Sequence, residues 1–422
     1  MSDLPDWRSR VAPAQRRILE RAVDAARDTG VRLFIVGGPV RDLALGIPFV
    51  DIDLVVENGG EPLAARLAEA LEAEVQSFPR FLTWRLDAGD GAPIDITTAR
   101  TESYEQPGSL PVVSPSTLRE DLFRRDFAAN SVALDLLTNE ITDPTGGLAD
   151  IRAGIMRVLH SRSFIDDPTR MLRGIRIATR LGFQFEPATA DLIRESAAEG
   201  ALETVSRERV WREIFIATKD ARPAATLVAM RRWGLLDPFL LTSSGNDDLL
   251  QQVDDHLSIA ERIDREVTYV GILTERAEQP GRSLEGAGFS NSRTNKTVTL
   301  VDDARLLAGQ LEQARTPVEQ LRLCARASDE TRVVASAMSE AAAAKIRQFR
   351  DYPRLALGFR GDELGLPAGP HIARALEATR EAVYLELVPP EKARAFARRA
   401  GLKYLNAGNE EDPDSDPDPA SS

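Results

Sequence analysis

The chain has 422 residues, 43% hydrophobic and 28% charged, with a net charge of −13 and one cysteine, Cys324. That length accommodates two or three domains, and a lone cysteine excludes an intramolecular disulfide framework or a cysteine zinc cluster. The negative charge argues against a nucleic-acid partner, but it is uneven: residues 406–422 carry Glu410, Glu411, Asp412, Asp414, Asp416 and Asp418 with no lysine or arginine, while Arg119–Arg125, Arg152–Arg180 and Arg394–Arg399 are arginine-dense.

In chain order, the opening MSDLPDWRSR has no apolar core of a signal peptide. No run approaches the roughly 18 apolar residues of a membrane span, so a cytoplasmic location is expected. Residues 14–29 have helical spacing, and Leu33–Val36 reads as a strand closed by Gly37 and Gly38. A short helix over Val40–Leu45 leads to a strand over Val50–Glu57. A helix over Glu61–Leu71 and short strands at Glu74–Ser77, Leu82–Leu86 and Ile94–Thr97 complete a mixed α+β domain with a small sheet. Thr101–Thr117, with four Pro or Gly residues, reads as a loop, and Leu118–Asn130 as a helix capped by Thr117. From Pro168 to about residue 400 the pattern is helical, including single long runs over Asp247–Thr274 and Glu330–Tyr352.

The chemistry concentrates in a few stretches. Asp51 and Asp53 alternate on one strand and share a face, roughly 6–7 Å apart at Cα, which suits two carboxylates holding divalent cations. Gly37 and Gly38 lead into a helix whose first N–H groups suit a phosphate. Asp95, in another apolar strand, is either a third carboxylate for that cation or a structural acid. In Arg124–Asn130, the adjacent Arg125 and Asp126 cannot share a face; the fragment by itself favours an exposed basic cluster with a local salt bridge, the other reading being a split of guanidinium to phosphate and carboxylate to ribose. Asp166 or Asp167 stands at a helix start as a cap with Pro168 as the first helical residue, and Arg170, Arg173 and Arg176 recur every three residues as an arginine stripe. A carboxylate with a guanidinium offers the acceptors and donors that read the edge of a base.

The ordered motifs Gly37–Asp42 (GGPVRD), Asp51–Asp53, Arg124–Asn130 (RRDFAAN), Asp143–Asp150, Asp166–Arg176 and Glu208–Glu213 resemble those of the class II tRNA nucleotidyltransferase and bacterial poly(A) polymerase family. Gly361–Leu364 with Gly369-Pro370 extends the resemblance weakly toward the C-terminus. It implies a polymerase-β-like head over 1–150, a base-selecting helical neck over 151–220, a tRNA-binding helical body and tail over 221–405, and a disordered acidic segment over 406–422. It further implies that Asp51 and Asp53 are catalytic and hold two Mg²⁺ ions. Gly37, Gly38, Arg41 and Arg125 would meet the triphosphate and Asp126 the ribose, with Asn130, Arg173 and Arg176 completing the nucleotide-binding set. Asp167 and Arg170 would choose CTP or ATP without a template. The implied activity is addition of CCA, or part of it, to the 3′ end of tRNA; A-addition alone and poly(A) synthesis are the alternatives.

Three positions depart from the family pattern. Asp166 replaces a usual glutamate, Ala128–Ser131 replaces TINA, and the Thr101–Thr117 segment has Glu102 and Glu105 but no lysine or arginine. That segment is not shortened, which disfavours a CC-only enzyme. His160, His256 and His371 are scattered, so no additional phosphohydrolase domain is expected.

Overall fold

The computed structural model describes residues 6–49, 52–89, 93–241, 245–260, 262–352 and 355–406. Asp51 and the acidic stretch after residue 406 lie outside the described residues. Two compact units result, one of residues 1–243 with 282–288 and one of residues 244–281 with 289–422.

The first unit opens with α1 (Pro13–Thr29), which buries Leu19, Ala22, Val23 and Ala26 and ends at Gly30 in the left-handed region. Then follow β1 (Leu33–Val36), α2 (Gly38–Leu45), β2 (Ile52–Val56), α3 (Gly60–Leu71), β3 (Glu74–Phe78), β4 (Thr83–Asp87) and β5 (Ile94–Thr98). After the strands β6 (Arg100–Ser103) and β7 (Val112–Pro115) come α4 (Leu118–Phe123), β8 (Ala133–Asp135) and β9 (Ile141–Thr142). Seven strands form one sheet in the order β3-β4-β5-β2-β1-β8-β9. Only β2 and β5 run parallel; the other neighbours are antiparallel. The continuous apolar run of β1 is buried at all four residues, as a central strand covered on both faces must be. On one face, Phe34, Val36 and Val55 pack with Leu118 and Leu122 of α4. The expected α+β head with a small mixed sheet is therefore present, and the remainder is helical.

Two local expectations are corrected. The Thr101–Thr117 segment is not a plain loop: β6 and β7 pair antiparallel from Arg100↔Pro115 to Ser103↔Val112. Its prolines and glycine sit at the tip and strand ends, and its strands are too short and polar to produce an alternating pattern. The helix expected through Asn130 stops at Phe123. Thr117 and Glu120 form a capping box at its start, but the Asp126 carboxylate accepts the Phe127 N–H (2.9 Å). This local bond competes with helical pairing, and only a single tight turn, Ala128–Asn130, follows.

Beyond the sheet lie α5 (Gly147–Ala153), β10 (Ile155–Met156), α6 (Ser163–Asp166), α7 (Thr169–Leu181), β11 (Gln184–Phe185), α8 (Pro187–Ala198), α9 (Arg207–Lys219) and α10 (Pro223–Arg232). Helix α7 packs on α9 and α10. Where it crosses Phe127 it carries Gly174, at which a Cβ would stand 2.4 Å from the ring.

The second unit is helical, with helices at Asp247–His256, Arg265–Thr274, Asn291–Gln313, Pro317–Arg326, Asp329–Met338, Glu340–Gln348, Pro370–Tyr384 and Ala393–Asn406. The two long runs read as single helices are each interrupted. Leu257–Ile259 forms a separate tight turn. Ser339 adopts an extended backbone, and its side chain accepts the Ala342 N–H, starting a new helix. Among the described residues no helix is long and apolar enough to cross a membrane.

Candidate active site

The glycine turn is built for close approach. Gly37 has φ +73°, and a Cβ there would stand 3.0 Å from Arg125 Nη1. A side chain would therefore fill the space between the start of α2 and that guanidinium. Arg41 is buried one turn into α2, with Nη1 donating to Asn130 Oδ1 (2.5 Å) and Nε and Nη2 donating to Asp42 Oδ1 (3.0 and 2.7 Å). Burial lowers the Arg41 pKa against the opposing pull of Asp42.

Asn130 continues the chain of contacts. Its Nδ2 donates to Asp126 Oδ1 (2.9 Å), and Asp126 Oδ2 forms an ion pair with Arg173 Nε of α7 at 2.8 Å. Burial pushes the Asp126 carboxyl up, but the Arg173 charge and the Asn130 and Phe127 hydrogen bonds outweigh it and leave the pKa below the usual 3.8. Arg173 is shifted upward, chiefly by Asp126. A continuous network thus joins the glycine turn, the RRDFAAN stretch and the arginine helix. Arg125, predicted to face away from Asp126, donates instead to Asp121 (2.9 Å) beside Gly37.

On β2, Asp53 is the register partner of Asp95 on β5, which in turn faces Arg85 on β4. The three side chains form a row across neighbouring strands. Arg85 grips both Asp95 oxygens, Nε to Oδ1 and Nη2 to Oδ2 at 2.7 Å each. Asp95 hydrogen bonding, with a smaller contribution from Asp53, raises the Arg85 pKa. With both oxygens held by Arg85 and no place in the lining of the adjoining cavity, Asp95 fits the structural acid of the two expected alternatives. Asp53 alone among the described strand carboxylates lines the adjoining cavity, and a carboxylate oxygen is the donor type that a hard divalent cation such as Mg²⁺ takes.

A cavity of about 310 Å³ collects Gly38, Arg41, Asp53, Asn130, Arg173 and Arg176. These predicted residues come from α2, β2, the Ala128–Asn130 turn and α7, so the fold brings together positions up to 138 residues apart in sequence. Arg176 lies 3.8 Å from both Glu213 and Asp220. Burial raises the pKa of these two carboxyls despite the arginine.

Asp167 and Arg170 do not line this cavity, and their side chains do not pair directly. Asp167 Oδ1 accepts from Thr169 N (3.1 Å) and Oγ1 (2.6 Å) and from Arg209 Nη2 (2.9 Å), while Pro168, expected as the first helical residue, takes the N-cap position itself. The buried Arg170 donates to Ser163 Oγ (3.0 Å), Tyr104 Oη (3.3 Å) and the Arg124 carbonyl (3.0 Å). Both are fixed by their surroundings, and both meet the β6–β7 hairpin. Tyr104 reaches Arg170, while Arg209 also donates to the Gly108 carbonyl (2.8 Å). Burial, then Glu102, raises the Tyr104 hydroxyl pKa.

Sequence reading missed Arg85, Tyr104, Ser163 and Arg209 as neighbours of these groups. Arg209 alone carried a signal, as a member of the Glu208–Glu213 motif. The Asp143–Asp150 motif proves to be a support. Asp143 accepts the Gly147 and Leu148 N–H groups (2.7 and 3.0 Å) at the start of α5. Gly147 lets α5 abut the Ala128–Asn130 turn, because a Cβ there would lie 2.0 Å from the Ala128 carbonyl oxygen.

Comparison with known proteins agrees with this geometry. Residues 33–157 match the poly A polymerase head domain, and residues 182–242 match the probable RNA and SrmB-binding site of polymerase A. An A-adding tRNA nucleotidyltransferase of Halalkalibacterium halodurans is 37% identical over 215 residues, half of each chain. A multifunctional CCA protein of Xanthomonas campestris is 33% identical over 276 residues, 64% of each chain. A solved tRNA-processing enzyme in an apo form is 28% identical with a TM-score of 0.70, over 88% of this chain and 98% of that one. The chain therefore spans from about half to about two thirds of these two curated relatives. With a matched head domain and a matched RNA-binding region, the chain is similar to tRNA nucleotidyltransferases and to poly A polymerase along these two stretches.

Proposed function

We propose that this protein transfers nucleotides from CTP and ATP to the 3′ end of tRNA without a template, adding CCA in whole or in part. The observation that carries the reading is the continuous contact from Arg41 through Asn130 and Asp126 to Arg173, beside Asp53 and around one cavity. It supports a single site for triphosphate, ribose and acceptor.

In this reading the free N–H groups at the start of α2 and the Arg125 guanidinium receive the triphosphate. Arg41 braces that turn from beneath and holds Asn130. Asp126, kept ionised by Arg173, accepts the ribose hydroxyl. Asp51 and Asp53 would hold Mg²⁺, whose charge would ease primer hydroxyl deprotonation and pyrophosphate departure. Asp167 and Arg170 present acceptor and donors to the base. Their fixed partners keep them from collapsing onto each other when no base is present.

A second reading, A-addition alone, is favoured by the A-adding relative and by the absence of basic residues in the Thr101–Thr117 segment. Incubation of tRNA lacking CCA, and of tRNA ending in CC, with labelled CTP or ATP separately tests both. C addition to the shortened tRNA and A addition to the CC form support full CCA synthesis. Incorporation of A alone, and only on the CC form, selects the second reading. Long A tails on unrelated RNA, or undiminished transfer by a D51A/D53A variant, would refute the proposal.

A further inference from the structure

Arg180, the fourth arginine on the α7 face, is absent from every motif considered above. It lines the same cavity as Asp53 and Arg41, with a third of its side chain exposed (34%). Its guanidinium reaches Asp42 Oδ2 at 3.5 Å, a distance at the edge of hydrogen bonding, and also bears on Asp220 as an opposite charge. Asp42 does not depend on this contact, because its other oxygen takes two bonds from Arg41, the shorter at 2.7 Å. Releasing Arg180 therefore leaves no carboxylate without a partner.

The surroundings favour a polyanion. Four guanidiniums, of Arg41, Arg173, Arg176 and Arg180, line the cavity against the carboxylates of Asp42 and Asp53. Arg180 also bears on Arg41 as a like charge that helps lower its pKa, a repulsion that a bound anion would relieve. Arg173 and Arg180 are seven residues apart. They share a helix face and stand roughly 10 Å apart along the axis. Arg173 touches Asp126, the expected ribose contact, and Arg180 lines the same cavity as Arg173 and as Gly38 at the start of α2.

We infer that Arg180 binds the terminal phosphates of the incoming nucleoside triphosphate, exchanging Asp42 for a phosphate oxyanion. This deepens the proposed nucleotidyl transfer and rests on it. RNA presents the same oxyanion chemistry, so the test separates the two sources. Calorimetric titration of the full chain with CTP, CMP and inorganic pyrophosphate, alongside tRNA binding, compares wild type with R180Q and R180K. Loss of one charge-assisted contact predicts CTP and pyrophosphate binding about 10- to 30-fold weaker in R180Q. R180K should lose less, and CMP and tRNA binding should be unchanged. Unaltered CTP binding, CMP weakened by the same factor, or a loss confined to tRNA overturns the assignment. R180K decides the matter if R180Q does not fold. Failure of the wild-type protein to bind either CTP or ATP would instead overturn the proposed function, a distinguishable outcome.

Discussion

Replacing Asp126 by Asn tests whether the ion pair with Arg173 fastens α7 to the Ala128–Asn130 turn. Asn is isosteric and its Oδ1 can still accept from Phe127 N and Asn130 Nδ2, the two 2.9 Å bonds of the native carboxylate. What changes is the second oxygen, 2.8 Å from Arg173 Nε, where an amide would set donor against donor. At an effective dielectric of 20, two charges at this separation attract by about 6 kcal/mol. Arg173 is half exposed (53%), however, so water replaces much of that attraction once the partner is gone. Breaking a fully buried pair costs about 3–5 kcal/mol. For this half-exposed pair we expect D126N to destabilise the protein by about 2 kcal/mol, with a coupling of about 1 kcal/mol in a cycle with R173Q. Urea unfolding of wild type, both single variants and the double variant at pH 7 measures both. The coupling should persist from pH 8 to pH 5, because Asp126 titrates below 3.8. A coupling below about 0.3 kcal/mol, the usual error of additivity, would refute the idea that this contact holds the helix.

Gly147→Ala should cost at least about 2 kcal/mol in the same unfolding assay, because the new methyl meets backbone rather than a movable side-chain end. Gly108→Ala acts locally: φ is +70° and a Cβ would lie 2.8 Å from the Thr204 carbonyl oxygen, so the hairpin tip should detach. Limited proteolysis should then cut within residues 104–111 faster than in wild type, with global stability changed by less than about 1 kcal/mol. Glu102, Asp121 and Asp126 are all held below their ordinary values of 4.5, 3.8 and 3.8: burial pushes each up, and arginine partners more than offset it. Their stabilisation is complete above those values and is lost as pH falls through the depressed native ones. Stability from these groups, followed by the thermal midpoint, should be flat from pH 8 to 5 and fall below about pH 4.5, with E102Q showing a shallower acid decline.

The parts that sequence alone determined are those governed by local rules. The buried run Leu33–Val36, the Gly37-Gly38 entry to a helix, the Thr117 cap and the arginine spacing on α7 each follow from neighbours a few residues away. The Asp53 carboxylate could be singled out because an acid in a strongly apolar strand needs a reason, whereas Asp126, in an arginine-rich stretch, was marked only by the motif resemblance. Partner choice was not legible. That Asn130 would bridge Arg41 and Asp126, or that Asp167 would bond Arg209 rather than stand beside Arg170, depends on chain segments 40 to 90 residues apart meeting in space. The β6–β7 hairpin was hidden for the same reason. Its strands have little intrinsic pattern and depend on Glu102 finding Arg100 and Arg124. At the opening glycine turn, residue type determined the tight entry to a helix; only packing of α7 across the head decided which arginines share a cavity with it, because side-chain pairing energies act over a few ångströms and sequence distance does not record them.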